Sequence, residues 1–192
     1  LFIGKHNMAI ENERKLLLDT SRAQELLADF KKKKVELSAN FYDITQSYLS
    51  GSARIRHVVP HSQAPEQHIF TYKTKVAGST VEIETEISTH DYHKLFLVAK
   101  PVVLKTRVKF FQEAYTWDID FFKQPKNGSV YLAMAEAEMP EFETETPDIH
   151  PVLEPYALRW IDVGDKRFNN KNLANIKKTQ VSVRDLLKNE KP

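Results

Sequence analysis

The chain has 192 residues, a length that suits one well-buried core and is short for two ordinary domains. Hydrophobic residues make up 41% and charged residues 28%, a globular balance, and five glycines are too few for a solenoid or a glycine-rich phosphate loop. Twenty-eight basic residues against 26 acidic leave a formal charge of +2, too little for a one-signed field that grips duplex nucleic acid, and the lack of cysteine excludes disulfides, thiolate zinc sites and cysteine nucleophiles.

No apolar run approaches the roughly 18 residues of a membrane span, so no membrane partner is expected, and a cytoplasmic protein in a reducing compartment is the expectation. Residues 1–7, "LFIGKHN", precede Met8 and fit no later pattern. They are read as an appended or upstream extension, which leaves 8–192 as a single domain.

"IENERKLLL", Ile10 to Leu18, reads as a strand that places Glu11, Glu13 and Lys15 on one face and Ile10, Leu16 and Leu18 on the other. "DTSRAQELLADFKKKK" follows as a helix, with Ser or Thr cap candidates, Ala23, Leu26, Leu27 and Phe30 on its apolar stripe, and Lys31 to Lys34 as a solvated C-terminal end. The period then changes. "NFYDITQSYLS", "ARIRHVV", "HIFTYKTKV", "TVEIETEIS", "VVLKTRVKFF", "AYTWDIDFF" and "SVYLAMAEAEM" are short runs rich in β-branched and aromatic residues, most of them parted by turn signals such as Ser50-Gly51-Ser52 and Asn127-Gly128. One amphipathic helix near "HDYHKLFLVAK" interrupts them and stops before Pro101. Beyond Pro140 the chain is Pro-rich and irregular, with a short helix expected from Asn170 and a last one near "VSVRDLLKNE". Eight hairpin-linked strands favour a barrel or a sandwich.

Strand parity sharpens this. Arg54 and Arg56 share a face, as do Lys73 and Lys75, then Glu82, Glu84 and Glu86, then Lys105, Arg107 and Lys109, then Asp118 and Asp120, then Glu136 and Glu138. A single such strand is an ordinary solvated face. Repeated on nearly every strand, with full charges of one sign at i and i+2, the pattern predicts a barrel whose interior is charged and whose apolar faces point outward. Such charges cost several kcal/mol each unless paired, hydrated or neutralised by ligands. Basic groups that clamp phosphate oxygens beside carboxylates that hold Mg²⁺ or Mn²⁺ are the apparatus of phosphoryl transfer.

"ENERK" matches the ExExK signature of the CYTH domain, the triphosphate tunnel metalloenzymes, and the resemblance continues in order through "ARIR", "FTYKTK", "EIETEI", "LKTRV", "WDIDFF", "LAMAEAEM" and "DVGDKRFNNKNLA". It implies a mainly β (α+β) fold, an eight-stranded antiparallel β-barrel tunnel with a charged interior, covering helices and a C-terminal helical lid over about 147–192. It also implies that Glu11, Glu13, Asp120, Glu136 and Glu138 bind metal, Mg²⁺ or Mn²⁺. Lys15, Arg54, Arg56, Lys73, Lys105 and Arg107 would clamp phosphate, with Lys15, Lys105 and Arg107 carrying the catalytic charge stabilisation and Lys166 or Arg167 reaching in from the lid. Lys75 and Lys109, at tunnel ends, are read equally as phosphate contacts or as solvated residues, and Glu82 is expected at the rim. The histidines, His57, His90 and His93 among them, show no HxxxH-type spacing and are expected to be surface or packing residues.

The implied activity is hydrolysis of a small-molecule triphosphate, inorganic triphosphate before others. A class IV-type adenylate cyclase, a nucleoside or thiamine triphosphatase, and a non-catalytic module that binds polyphosphate or a nucleotide are the alternatives. Nucleic acid is not an expected partner, and nothing in the sequence specifies an oligomeric state.

Overall fold

The computed structural model describes residues 9–10, 12–76, 79–112 and 115–188, so Glu11 lies outside the described residues. Ten strands form a single antiparallel sheet: β1 (Ala9–Ile10), β2 (Glu13–Leu18), β3 (Asn40–Tyr48), β4 (Ala53–Pro60), β5 (Gln67–Val76), β6 (Ser79–Glu86), β7 (Val102–Gln112), β8 (Tyr115–Lys123), β9 (Val130–Glu138) and β10 (Ala157–Ile161). Their spatial order is β1-β6-β5-β4-β3-β7-β8-β9-β2-β10.

The expected first strand is split. Its start, β1, pairs with β6, while its continuation, β2, pairs with β9. The ladder therefore ends at β1 on one side and at β10, beyond β2, on the other, and among the described residues these two strands do not pair, so "barrel" describes this sheet only loosely. Asn12 holds the break: its backbone carbonyl accepts from the Met139 amide at 2.9 Å, and its side-chain amide donates to the carbonyls of Pro140 and Glu143 at 2.8 and 2.7 Å. Strand β10 arises from the stretch read as irregular. "ALRWI" pairs with the remaining edge of β2, with a register irregularity between Ala157 and Arg159, and so covers backbone groups that an open edge would leave unpaired.

Alternation then fixes which side of each strand is apolar. On β8, Trp117, Ile119 and Phe121 point outward, and on β9 the small residues Ala133, Ala135 and Ala137 do, all within one core shared with Leu16 and Leu18. Helix α1 (Ala23–Lys32) lays Leu26 and Phe30 on this face, the Phe30 ring 5.6 Å from that of Phe110. Asp19 caps the 3-10 turn Thr20–Arg22 that leads into α1, its carboxylate accepting from the Ser21 amide at 2.9 Å, and Arg22, at the N-cap of α1 itself, makes no side-chain cap in place of the Ser or Thr expected. Val152, Leu153 and Tyr156 join the same outer core, so the first part of the expected lid is an outer buttress.

Helix α2 (Thr89–Phe96), capped by Ser88, covers a smaller patch outside β4 with Tyr92 against Ile55 and Ala99. Only the C-terminal segment reaches the inner side. Phe168, Leu173 of α3 (Asn170–Leu173) and Leu186 of α4 (Ile176–Lys188) pack onto Leu17, Val103, Phe122, Leu132 and Met134. These five have the parity of the charged faces, so the inner space is stoppered at one end by an apolar plug.

Candidate active site

Above that plug the curled sheet surrounds a cavity of about 530 Å³, lined by side chains from every strand from β2 to β9 and by Asn169, Asn170 and Lys171. The charged faces read from parity converge here. Among the described residues, eight basic and six acidic side chains line the space.

The charges lie in layers. Deepest is a triad in which the fully buried Asp120 accepts from Lys105 Nζ at 2.6 Å and from Arg107 Nε and Nη2 at 2.7 Å each. Next, Lys15 Nζ lies 2.8 Å from Glu136 and 2.9 Å from Glu13, while Arg107 also binds Asp118. Strand register generates this order, because Arg107 faces Asp120, Lys109 faces Asp118, and Lys15 faces Glu136 across their ladders. On β4 to β6, Arg54 pairs with Glu82 at 2.7 Å, Lys73 reaches Glu82 at 3.2 Å, and Arg56 binds Glu84. Gly51, at φ +68° in the left-handed region, turns the chain from β3 to β4 at the cavity wall.

Proximity shifts the titration of these groups. Burial opposes charge on Glu136, but Lys15, Arg107 and Lys105 outweigh it and hold the carboxyl well below its usual range. Burial likewise opposes the Lys15 ammonium, and Glu136 with Glu13 overcomes it and raises that group. Lys105 goes the other way: burial, reinforced by Arg107, brings it down to about 8 despite Asp120, whose own carboxyl stays ionised chiefly through Arg107. The Asp120 carboxylate is thus shared unequally between Arg107 and Lys105, and Lys105 is the under-compensated partner. Burial and then Arg54 bring Arg56 down to about 10.

The mouth carries the opposite imbalance. Glu13 and Glu138 are directly opposed across the β2–β9 ladder, a like-charge pair that destabilises a sheet unless something neutralises it. Partial burial and Asp118 raise the Glu138 carboxyl. Asp118 Oδ1 is buried without a hydrogen bond, with Lys109 Nζ 3.4 Å away. On β4 the Nε donors of Arg54 and Arg56 are also buried and without acceptors. The mouth thus presents oxygen donors of the type that hard divalent cations take, at Glu13, Asp118 and Glu138, and the β4 guanidinium groups present donors of the type that anions take.

Lys15, Arg54, Arg56, Lys73, Lys105, Arg107, Glu13, Glu136 and Glu138 all line the cavity. Asp120 sits in the same cluster, but Lys105 and Arg107 occupy both its oxygens, and Asp118, one pleat nearer the mouth, holds the open oxygen instead. Lys109, left open between ligand contact and solvent, faces Asp118 and lines the cavity, and Glu82, expected at the rim, is mostly buried between Arg54 and Lys73. Neither Lys166 nor Arg167 lines it. Lys166 borders a separate hollow of about 280 Å³ beside Asn12 and Arg14, and Arg167 is held by Asp165 at 2.7 Å. Asn170 and Lys171 take the place expected for them, Asn170 Oδ1 accepting from Lys105 at 3.4 Å. Parity alone could not choose Asp118 over Asp120, and a helix of four residues left no periodic signal to find Lys171.

Fold and site together define an antiparallel sheet curled around a pocket lined by charges of both signs. The chain belongs to the CYTH family, whose domain matches residues 9–155. An inorganic triphosphatase of Acetivibrio thermocellus is 33% identical over 107 residues, which cover 52% of this chain and 60% of that protein. Among solved structures, a protein of Pyrococcus horikoshii is 18% identical (70% of this chain, 80% of that one, TM-score 0.43) and a candidate adenylate cyclase of Bacillus halodurans 14% identical (69% and 82%, TM-score 0.42). These structural overlaps are too partial to bear on activity.

Proposed function

We propose that this protein hydrolyses a triphosphate inside the cavity with the help of divalent metal, and that inorganic triphosphate is the substrate. The observation that carries the proposal is the set of orphaned polar atoms around one space: two buried guanidinium donors on β4 and one buried carboxylate oxygen on β8. Groups so placed are costly when unsatisfied, and a phosphate chain with its counter-cations satisfies both kinds at once. The small excess of basic over acidic lining cannot by itself neutralise a triphosphate, which makes cations at the acidic mouth part of the same design.

Glu13, Asp118 and Glu138 would hold the metal, with Glu136 behind them and Glu11 as a further candidate. A divalent ion there supplies Lewis acidity and lowers the pKa of a bound water. The chain's own groups do the rest. Arg54, Arg56 and Lys73 bind and orient the phosphate chain, exchanging their Glu82 and Glu84 partners for phosphate oxygens. Lys15, Lys105 and Arg107, fixed by buried carboxylates, stabilise charge that develops on the reacting phosphoryl group. Phe168, Leu173 and Leu186 close the far end and exclude water there.

Two points favour inorganic triphosphate over a nucleotide. The curated relative acts as an inorganic triphosphatase by name, and Tyr48 is the one aromatic side chain among the described lining residues, which leaves little for a base to stack on. The test is incubation with triphosphate, ATP, thiamine triphosphate and pyrophosphate in Mg²⁺ or Mn²⁺, with released phosphate and cyclic nucleotide read together. Phosphate from triphosphate in preference to the others is the expected result. Cyclic AMP from ATP would replace hydrolysis with cyclisation, and tight binding without turnover would make the protein a binding module.

A further inference from the structure

The histidines fall outside the tunnel chemistry, and three residues on the outer face of the sheet form a separate constellation. His57 of β4 and His68 of β5 are directly opposed across their ladder, with rings stacked 4.6 Å apart and 6° from parallel. Glu66, just before β5, brings its carboxylate to 3.0 Å from His57 Nε2. One donor atom from each of the three lies within 4.8 Å of the others. His57 alternates with Arg56, so this group is on the opposite side of the sheet from the cavity.

We propose that His57, Glu66 and His68 form a second metal site, one for zinc, which clips the β4–β5 hairpin shut from outside. Two imidazoles and one carboxylate are borderline ligands that suit zinc and neighbouring late transition metals and disfavour the Mg²⁺ or Mn²⁺ expected at an all-carboxylate site. Three protein ligands leave a fourth position for water.

The geometry needs His68 to turn as well as move, because a metal lies in the plane of each imidazole that binds it and rings 6° from parallel cannot both hold one ion. Zinc with bonds of about 2.0–2.1 Å in tetrahedral arrangement separates two ligand atoms by roughly 3.3 Å, so His57 Nε2 and Glu66 need to part only slightly as the metal replaces the proton between them. His68 must swing inward by about 1.5 Å from the outer limit of the cluster to reach the same spacing. Its ring is already steered: Thr89 Oγ1 lies 3.5 Å from Nδ1, leaving Nε2 to the metal, and the Tyr92 ring packs 4.6 Å away. A metal-bound imidazole donates its other N–H to an oxygen acceptor, and the Thr89 hydroxyl oxygen stands in that position. The bound ion would tie the loop at 61–66 to both strands of the hairpin whose inner face carries Arg54, Arg56 and Lys73.

The test uses the full chain, stripped with chelator and titrated with Zn²⁺ by calorimetry and with Co²⁺ by visible absorption. One tight equivalent of Zn²⁺ is expected, together with the absorption of tetrahedral Co²⁺ bearing nitrogen ligands. His57→Ala should weaken that equivalent by about 100-fold and the exposed Glu66→Gln by about 10-fold. The double variant Glu13→Gln/Glu138→Gln, which alters only the cavity, should retain it. Zinc binding in the parent no tighter than in His57→Ala overturns the proposal, as does loss of the tight equivalent in the cavity variant. Because His57 and Glu66 are outside the cavity, triphosphate turnover in Mg²⁺ is expected to persist in both variants, so this site and the tunnel reading fail separately.

Discussion

The two halves of the charged wall are built differently. On β2, β7, β8 and β9 the outer face is sealed beneath α1 and the 149–161 segment, with Trp117, Ile119 and Phe121 fully buried, and below the open mouth at Glu13, Lys109 and Glu138 the inner charges are buried as well, Asp120 at 0% and Lys105 at 3% exposure. On β4 to β6 the outer face is thinly covered, leaving Tyr72, Val76 and Ile83 exposed, and inner partners such as Glu84 are open to water. The same ion-pair chemistry therefore serves two purposes. In the sealed half the pairs are fixed before any ligand arrives, which is what electrostatic preorganisation requires. In the thin half the carboxylates are placeholders that water or a phosphate can displace.

The largest expected effect tests this contrast directly. Asp120→Asn leaves Lys105 and Arg107 without their shared carboxylate in a site closed to water, and should lower unfolding free energy by about 3–5 kcal/mol in urea titrations. Glu84→Gln removes an exposed partner of Arg56 and should cost at most about 1 kcal/mol. Equal losses would erase the distinction between the halves. The next effect is on binding. Arg54→Ala or Arg56→Ala should keep the fold and weaken triphosphate by about 10- to 100-fold, as expected for hydrogen bonds to a charged group worth about 1.5–3 kcal/mol. A KM that rises with little change in kcat is the signature, because these residues hold the chain of phosphates and do not move with the reacting group.

Much of this contrast was legible in the sequence, and its limits are physical. Period-two alternation in "LKTRV", "WDIDFF" and "LAMAEAEM" placed the charges inward and the tryptophan, Phe121 and the alanines outward, because a pleated strand admits no other arrangement. Parity does not give depth along a strand, so Asp118 and Asp120 looked equivalent until register set one near the mouth and the other under two cations. Cross-strand proximity is equally hidden, which is why His57 and His68, eleven positions apart, looked like isolated residues. "ALRWI" was lost among prolines because a five-residue strand at an edge has too little alternation to register.

A smaller effect sharpens the picture of the sealed half by pH. Lys105 titrates near 8, below the ordinary lysine value, so the folded protein binds fewer protons than the unfolded chain between about pH 8 and 10.5. Stability should then rise over that window as the buried charge is relieved, while triphosphate affinity falls, since the neutral amine no longer attracts phosphate. Opposite slopes from urea titration and calorimetry over pH 7–10 are the expected outcome, and Lys105→Met should flatten both. Parallel slopes would mean that another group governs the window.

The smallest effects should come from the plug, which belongs to neither half. Arg167 is engaged by Asp165 at 2.7 Å, is exposed, and is not part of the cavity wall, whereas Lys171 is part of it and its ammonium lies 5.9 Å from the Tyr48 ring centre. Arg167→Ala should change kcat/KM by less than about twofold, within the usual range for an exposed ion pair. Lys171→Ala should lower it several-fold, because one of the eight cations facing the substrate is lost while Phe168, Leu173 and Leu186 keep the stopper in place. If the order is reversed, the C-terminal segment must re-seat when substrate binds, carrying Arg167 inward. The plug would then be a moving part, and the sealed half would owe its dryness to the ligand as well as to the fold.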